Sequence, residues 1–135
     1  MRAHKFTVSA TIPASPKQVY DAWLSSKGHT AMTEAGAKVS ARVGGAFTAW
    51  DGYISGKNLK LKPGKQIVQA WRTTEFAASD PDSQIEVLLV KSPGGTKLTL
   101  HHTNIPGGQF DYRSGWREFY FEPMKKYFKS KAKPA

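Results

Sequence analysis

Apolar residues at Phe6, Val8, Ala10 and Ile12 alternate with polar ones, the period of a half-buried strand. The pattern then changes to a helical one. Ser15 is placed to cap a helix, Pro16 suits its first position, and Gln18 completes a capping box. Val19, Tyr20, Trp23 and Leu24 fall on one face of that helix. The segment GHTAMTEAGA reads as a short helical turn followed by a loop. From Ala37 onward the chain reads as a run of hairpins. Val39, Ala41 and Val43 lead to Gly44-Gly45, and Phe47 to Trp50 leads to Asp51-Gly52, the pair favoured in a two-residue type I′ turn. Tyr53 to Leu61 ends at Lys62-Pro63-Gly64, Gln66 to Thr74 follows, and Ile85, Val87 and Leu89 alternate up to Ser92-Pro93-Gly94-Gly95. Lys97 to Ile105 closes at Pro106-Gly107-Gly108, and the loop SDPDS is expected to be exposed.

The last element is a helix over about Tyr112 to Lys129. Trp116, Phe119, Tyr120, Pro123, Met124, Tyr127 and Phe128 recur every three and four residues, a stripe of large rings and one thioether. Pro123 lies inside the pattern, so a kink about one turn earlier is expected. The predicted order is β-α-α-β-β-β-β-β-β-α, an α+β domain. An antiparallel sheet of about seven short strands must curl, and the long apolar helix is the element able to cover its concave face.

Composition narrows the picture. The 135 residues suit a single domain over 1–135, with 39% apolar and 22% charged residues, ordinary for a globular chain. With no cysteine there is no disulfide, thiolate nucleophile or zinc–thiolate site, which fits a reducing, cytoplasmic setting. The segment MRAHKFTVSATIP has no apolar run of the length a signal peptide uses, and no window approaches the ~20 apolar residues a membrane span requires. The net charge of +10 raises nucleic acid as a partner. Five lysines, however, lie in the last eleven residues (Lys125, Lys126, Lys129, Lys131, Lys133), so the rest of the chain carries +5. That remainder lacks an arginine- and aromatic-interleaved face, so no nucleic-acid partner is expected and residues 129–135 read as a solvated basic tail.

ASPKQVYDAWLSSKGHTAMT, VGGAFTAWDGYISGKNLKLKPGKQIVQAWR, GGTKLTLHHTNIP and YRSGWREFYFEPMKKYF together resemble the family of activator-of-heat-shock-chaperone-ATPase homologues, within the SRPBCC, START and Bet v 1-like superfamily. The resemblance runs from about Phe6 to Phe128 and implies a helix-grip fold: a curved antiparallel sheet wrapped around a long C-terminal helix. Its most specific pieces (W-D-G-Y-I-x-G, P-G-K-x-I-V-Q-x-W-R and G-W-R-E-F-Y-F-E-P) mark turns and packing positions rather than a catalytic signature. Eukaryotic members include a co-chaperone that stimulates the ATPase of the ninety-kilodalton heat-shock chaperone, with a further N-terminal domain. This chain reads as the one domain, like bacterial stand-alone forms. Other branches of the superfamily hold lipids, sterols or aromatic polyketides between sheet and helix.

Candidates for chemistry each have a plain structural explanation. His101 and His102 are neighbours on a strand and point to opposite faces, so they cannot chelate one metal together. His102 faces inward with Leu98 and Leu100, and the family pattern also carries a histidine there. It is either a hydrogen-bonded core residue or the polar orienter of a ligand, and Glu86 points away from it. Asp51 is explained by hairpin geometry, and Glu118 and Glu122 by pairing with Arg117, Lys125 and Lys126 on the outer face of the helix. Ser25 and Ser114 lack a nucleophile-elbow context, and the Gly-Gly pairs lack the helix of a phosphate loop. No catalytic residue, metal site or cofactor is therefore assigned.

Binding is favoured over catalysis. A small apolar or aromatic ligand between sheet and final helix is expected, lined by Trp23, Met32, Phe47, Trp71, Val87, Leu89, Leu100, Trp116 and Tyr120, with His102 as orienter. Dense packing of the same rings, leaving no cavity, is the competing expectation. A co-chaperone-like interaction module, as monomer or homodimer, is the alternative function, and a cyclase- or hydrolase-type enzyme of the superfamily a further one.

Overall fold

The computed structural model describes residues 4–108 and 111–132. Seven strands form one antiparallel sheet: β1 (His4–Ile12), β2 (Lys38–Val39), β3 (Ala46–Ala49), β4 (Ile54–Lys62), β5 (Gln66–Thr73), β6 (Ser83–Ser92) and β7 (Gly95–Ile105). Their spatial order is β1-β7-β6-β5-β4-β3-β2, so β2 to β7 form a meander and β1 adds to its far edge. Helices α1 (Pro16–Trp23) and α2 (Ser26–Thr33) interrupt the chain between β1 and β2. The C-terminal helix, α3, spans 112–132, and residues from all three helices join strand residues in one hydrophobic core.

Local chemistry explains these elements. Ser15 Oγ accepts the Gln18 N–H at 3.1 Å, and Gln18 Oε1 accepts the Ser15 N–H at 2.9 Å, closing the expected capping box of α1. The segment read as one helical turn is a full eight-residue helix, because Ser25 caps it by accepting the Gly28 N–H at 3.0 Å. That helix carries His29, Met32 and Thr33 into the core.

Three boundaries differ from the sequence pattern. The strand expected through Val39, Ala41 and Val43 stops at Val39, and Val43 is 62% exposed. Here the side chain of Asn58 replaces a ladder: its Nδ2 donates to the carbonyls of Ser40 and Arg42 at 2.6 and 2.9 Å. The hairpin between β3 and β4 has four connecting residues rather than two, since Ala49 pairs with Ile54. The final helix continues through Ala132, so the start of the expected tail is its last turn; 133–135 lie outside the described residues.

Where a kink is expected before Pro123, the helix carries a π-helical turn. Residues Arg117–Phe121 form a π-helical turn between α-helical Tyr112–Trp116 and Glu122–Ala132. Pro123 has no N–H to offer Phe119, and the wider turn lies where its ring would press on the preceding backbone.

Sheet curvature has its own device. Gly56 on β4 lies between Phe47 on β3 and Trp71 on β5. A Cβ there would come within 1.8 Å of the Ala70 carbonyl oxygen and 2.8 Å of the Phe47 ring. Glycine thus allows the strands to bend closely around buried Phe47. Gly56→Ala is expected to lower unfolding free energy by about 3 kcal/mol or more, the upper end of overpacking. Gly64→Ala, in a turn at φ +70° with open space around it, should cost only about 1 kcal/mol. Equal denaturation midpoints for the two variants would refute this account of the bend.

Candidate functional site

Alternation along the strands turns Trp71, Ile85, Val87, Leu98, Leu100 and His102 toward the helix, and all are buried. Against them α3 lays Trp116 and Tyr120. Trp116 stacks on Trp23 (centroids 6.1 Å apart, 20° between planes) and lies 5.6 Å from Trp71, while Tyr120 lies 4.7 Å from Trp116. Such rings can be buried only if their polar atoms find partners, and two histidines supply them.

The hydrogen bonds fix both tautomers. Trp116 Nε1–H donates to His102 Nδ1 at 3.1 Å, so the His102 proton sits on Nε2, 2.9 Å from Ser83 Oγ. Ser83 donates onward to the Trp71 carbonyl at 2.6 Å. His29 is the opposite case. Its Nδ1 lies 2.9 Å from the Trp23 carbonyl and must donate, leaving Nε2 to accept the Tyr120 hydroxyl at 2.8 Å. Burial lowers the pKa of His102 to about 3 and lowers that of His29. Burial likewise pushes the Tyr120 phenol upward. Both imidazoles are neutral and satisfied, without a free nitrogen for acid–base work. Ser83, expected in an exposed loop, is instead a buried first residue of β6.

A third buried link joins the layers. Trp23 Nε1 donates to Gln69 Oε1 at 3.2 Å, and Gln69 Nε2 donates to Asn58 Oδ1 at 2.9 Å.

Beside this packed region lies an open apolar cleft of about 350 Å³, at the lower end of ligand-sized pockets (~300–1,000 Å³). Trp50, Tyr53, Ile54 and Trp71 line one wall, and Tyr112, Gly115, Trp116, Phe119 and Tyr120 the other. The polar ends of several rings are engaged elsewhere. Tyr53 Oη donates to Glu75, Tyr112 Oη is 3.1 Å from Thr73 Oγ1, and Trp116 and Tyr120 serve the histidines. The cleft is therefore walled mainly by ring faces and carbon, while the Trp50 indole N–H is buried without a partner among the described residues.

Both walls are built from unusual backbone. Trp50 and Asp51 have φ of 52° and 57°, left-handed values that a bulky residue such as tryptophan rarely adopts. The turn is held by Asp51, whose N–H donates to the Gly36 carbonyl at 2.9 Å and whose carboxylate accepts the Gly36 N–H at 3.0 Å. The opposite wall includes the π-turn, which carries Phe119 and Tyr120. Phe119 is 45% exposed and meets Trp50 edge to face at 5.5 Å across the mouth. Strained backbone and π-turns both concentrate at functional sites, and here they face each other across one cleft.

Of the residues expected to line a pocket, Trp71, Trp116 and Tyr120 do line this cleft. Trp23, Met32, Phe47, Val87, Leu89, Leu100 and His102 lie in the buried core instead. Trp50, Tyr53, Ile54, Tyr112, Gly115 and Phe119 complete the lining. Trp50 and Phe119 carried a signal in the sequence, as large rings beside a turn and a helix-internal proline. His101 points outward and bonds Thr7 Oγ1 at 2.7 Å, Glu86 bonds Gln66, and Glu122 pairs with Lys125 at 3.3 Å. Among the described residues no group of three or more His, Asp and Glu is placed to hold a metal ion, and no helix is long and apolar enough to cross a membrane.

A family model described as Activator of Hsp90 ATPase homolog 1-like protein matches residues 13–129. The chain is 31% identical over 125 residues to the human Activator of 90 kDa heat shock protein ATPase homolog 1, covering 92% of this chain and 37% of that protein. It thus spans just over a third of that relative's length. Among solved structures, an HSP90 activator from Plasmodium falciparum superposes with a TM-score of 0.81 at 22% identity, over 90% of this chain and 94% of that one. The solution structure of the Aha1 dimer from Colwellia psychrerythraea gives 0.73 at 19% identity, over 90% and 93%.

The buried histidines set an acid limit on the fold. The unfolded chain protonates His102 near its ordinary 6.5, whereas the folded chain resists until about 3. Stability is therefore complete above pH 6.5 and falls as pH decreases below it. Between pH 6.5 and 4.5 His102 alone should remove about 2–3 kcal/mol, and His29 acts with the same sign. Denaturant titrations at each pH check this; a flat profile would contradict the neutral, buried assignment.

Proposed function

Because the chain belongs to the Activator of Hsp90 ATPase homolog 1-like family, we propose that it is a non-catalytic interaction domain that docks on a chaperone of the ninety-kilodalton heat-shock class. The observation that carries this reading is the 31% identity to the human activator across 92% of the chain, well beyond shared topology. The site geometry agrees with a role without catalysis. His102 and His29 are spent on holding rings, Asp51 on clamping a turn, and Glu122 on a surface pair. What the molecule offers outward is shape and charge.

A second reading rests on a separate observation: the cleft between the Trp50 turn and the π-turn. It is sized and lined for a small, flat apolar or aromatic molecule, with ring faces above and below and no charged group among its lining residues. Such a molecule would occupy the domain without competing for its outer sheet face.

Two measurements test these readings. Purified protein added to the chaperone of the same organism should form a complex in sedimentation and raise its ATPase rate; neither effect at about 100 μM, a weak but specific affinity, would sink the first reading. For the second, an apolar fluorophore such as a naphthalene sulfonamide should bind the native protein and shift tryptophan emission. Trp50→Gly relieves the left-handed φ while deleting one wall, and Phe119→Ala removes the exposed lip. Each should weaken the probe about 10-fold, near the loss of one aromatic contact of ~1.4 kcal/mol, at little cost in stability. Unchanged probe affinity in both would show that the cleft is not its site.

A further inference from the structure

The helices cover only the concave face of the sheet. Alternation turns Val68, Leu88 and Val90 to the convex face, opposite in direction to their buried neighbours Ile67, Val87 and Leu89. Register makes these three a patch rather than scattered residues. Val68 pairs with Glu86 and Leu88 with Gln66, so Val68 and Leu88 are diagonal neighbours across β5 and β6. Val90 continues the same row of β6 and is 62% exposed.

Lysines flank this row on both sides. Lys60 pairs with Val68 and Lys62 with Gln66 on the β4 side, and Lys97 pairs with Val90 on the β7 side. Among the described residues none of these three lysines makes an ion pair. The carboxylate inside the patch, Glu86, accepts the Gln66 amide at 2.5 Å. Farther along the face, Arg72 is paired with Asp82 at 2.8 Å. The patch therefore has an aliphatic centre with one carboxylate, Glu86, and a rim of three lysines on both sides that leaves it net cationic, the division of labour seen in protein interfaces: apolar centre for affinity, rim charge for steering. Aliphatic side chains without aromatic rings or arginine between them do not form a nucleic-acid platform.

We propose that this convex face, centred on Val68, Leu88 and Val90 and rimmed by Lys60, Lys62 and Lys97, is where the domain docks on its protein partner, through an acidic surface of that partner carrying a projecting aliphatic or aromatic side chain. The proposal rests on the chaperone-docking reading above and assigns it a face distinct from the cleft. Charge complementarity selects the occupant: a second copy of this chain, itself at +10, would bring lysine against lysine.

The test uses the full chain and the chaperone of the same organism. Val90→Ser should weaken binding about 5- to 10-fold, the loss of one apolar anchor of ~1–1.4 kcal/mol. Lys60→Glu/Lys62→Glu/Lys97→Glu should slow association at least about 10-fold and flatten its dependence on salt, since the rim acts by steering. All these side chains are exposed, so melting temperatures should stay near that of the natural protein. If the natural protein binds and both variants bind equally well, the face is wrong while the chaperone reading survives. If the natural protein does not bind the chaperone, that reading fails, and the face is judged by amide shifts on titration with a synthetic peptide bearing several glutamates around one leucine. Shifts centred on Val68, Leu88 and Val90, absent in Val90→Ser, support it; shifts spread over every surface lysine overturn it. Binding to a homopolymer RNA that is lost with the lysines but unaffected by Val90→Ser would assign the charge to nucleic acid and also overturn it.

Discussion

Trp116 can lie in the middle of this fold only because an unprotonated imidazole nitrogen receives its N–H. A buried indole whose donor finds no acceptor forfeits about 1–3 kcal/mol, enough to matter against the small net stability of a domain. His102 provides the acceptor on the sheet, and its other nitrogen is pinned by Ser83. About one helical turn farther along, His29 does the corresponding task for Tyr120 from α2. The two histidines thus attach the C-terminal helix to the sheet on one side and to the helical hairpin on the other. Reversing the His102 tautomer would set donor against the Trp116 N–H, and reversing that of His29 would set acceptor against the Trp23 carbonyl, so the pair also fixes the rotation of the helix. Once that rotation is set, Phe121, Met124 and Phe128 fall into the core and Phe119 is left at the surface.

The cleft follows from the same constraint. Rings locked by hydrogen bonds at their far ends cannot swing inward to fill a neighbouring void. Tyr112, Trp116 and Tyr120 are held this way on the helix, and Tyr53 on the sheet side by Glu75. The remaining freedom to collapse would lie in the Trp50 turn, but Asp51 ties it by two bonds to Gly36. An apolar space stays open because every wall is anchored from behind. This is the opposite of a cavity left by a deleted side chain, whose walls are free to relax.

Strand alternation, the Ser15 capping box and the helical stripe were enough to read the element order, the sheet and the inward face of β7 from the sequence. Those features are local, and local chemistry decides them. The parts that escaped depend on partners far along the chain. Asn58 takes the carbonyls of Ser40 and Arg42 and ends β2 early, which no window around Val43 reveals. Asp51-Gly52 signalled a tight hairpin, yet with Asp51 bonded to Gly36 the positive-φ stretch begins one residue earlier, at Trp50, and the loop is larger. For the site, periodicity identified which residues face the helix but not which of them touch each other. Whether inward rings interleave or leave a gap is set by angles of less than a side-chain width. Trp23, Leu100 and His102 interleave; Trp50, Tyr53 and Phe119 do not.

The two faces of the sheet then divide in kind. On the concave side the polar atoms of Trp23, Trp116, Tyr120 and Tyr112 are matched within the molecule, so what that side offers is chiefly volume, at the cleft. On the convex side the lysines of β4 and β7 make no ion pair among the described residues, and between them Val90 is exposed and Val68 and Leu88 are half-buried. Lysine side chains in such positions keep this face of the sheet from packing on a second copy of itself, since like charges repel. The same arrangement leaves an attractive surface for a partner of opposite charge. Protection from self-association and readiness for a foreign acidic surface are therefore one property of the convex face, obtained without disturbing the packed side on which the fold depends.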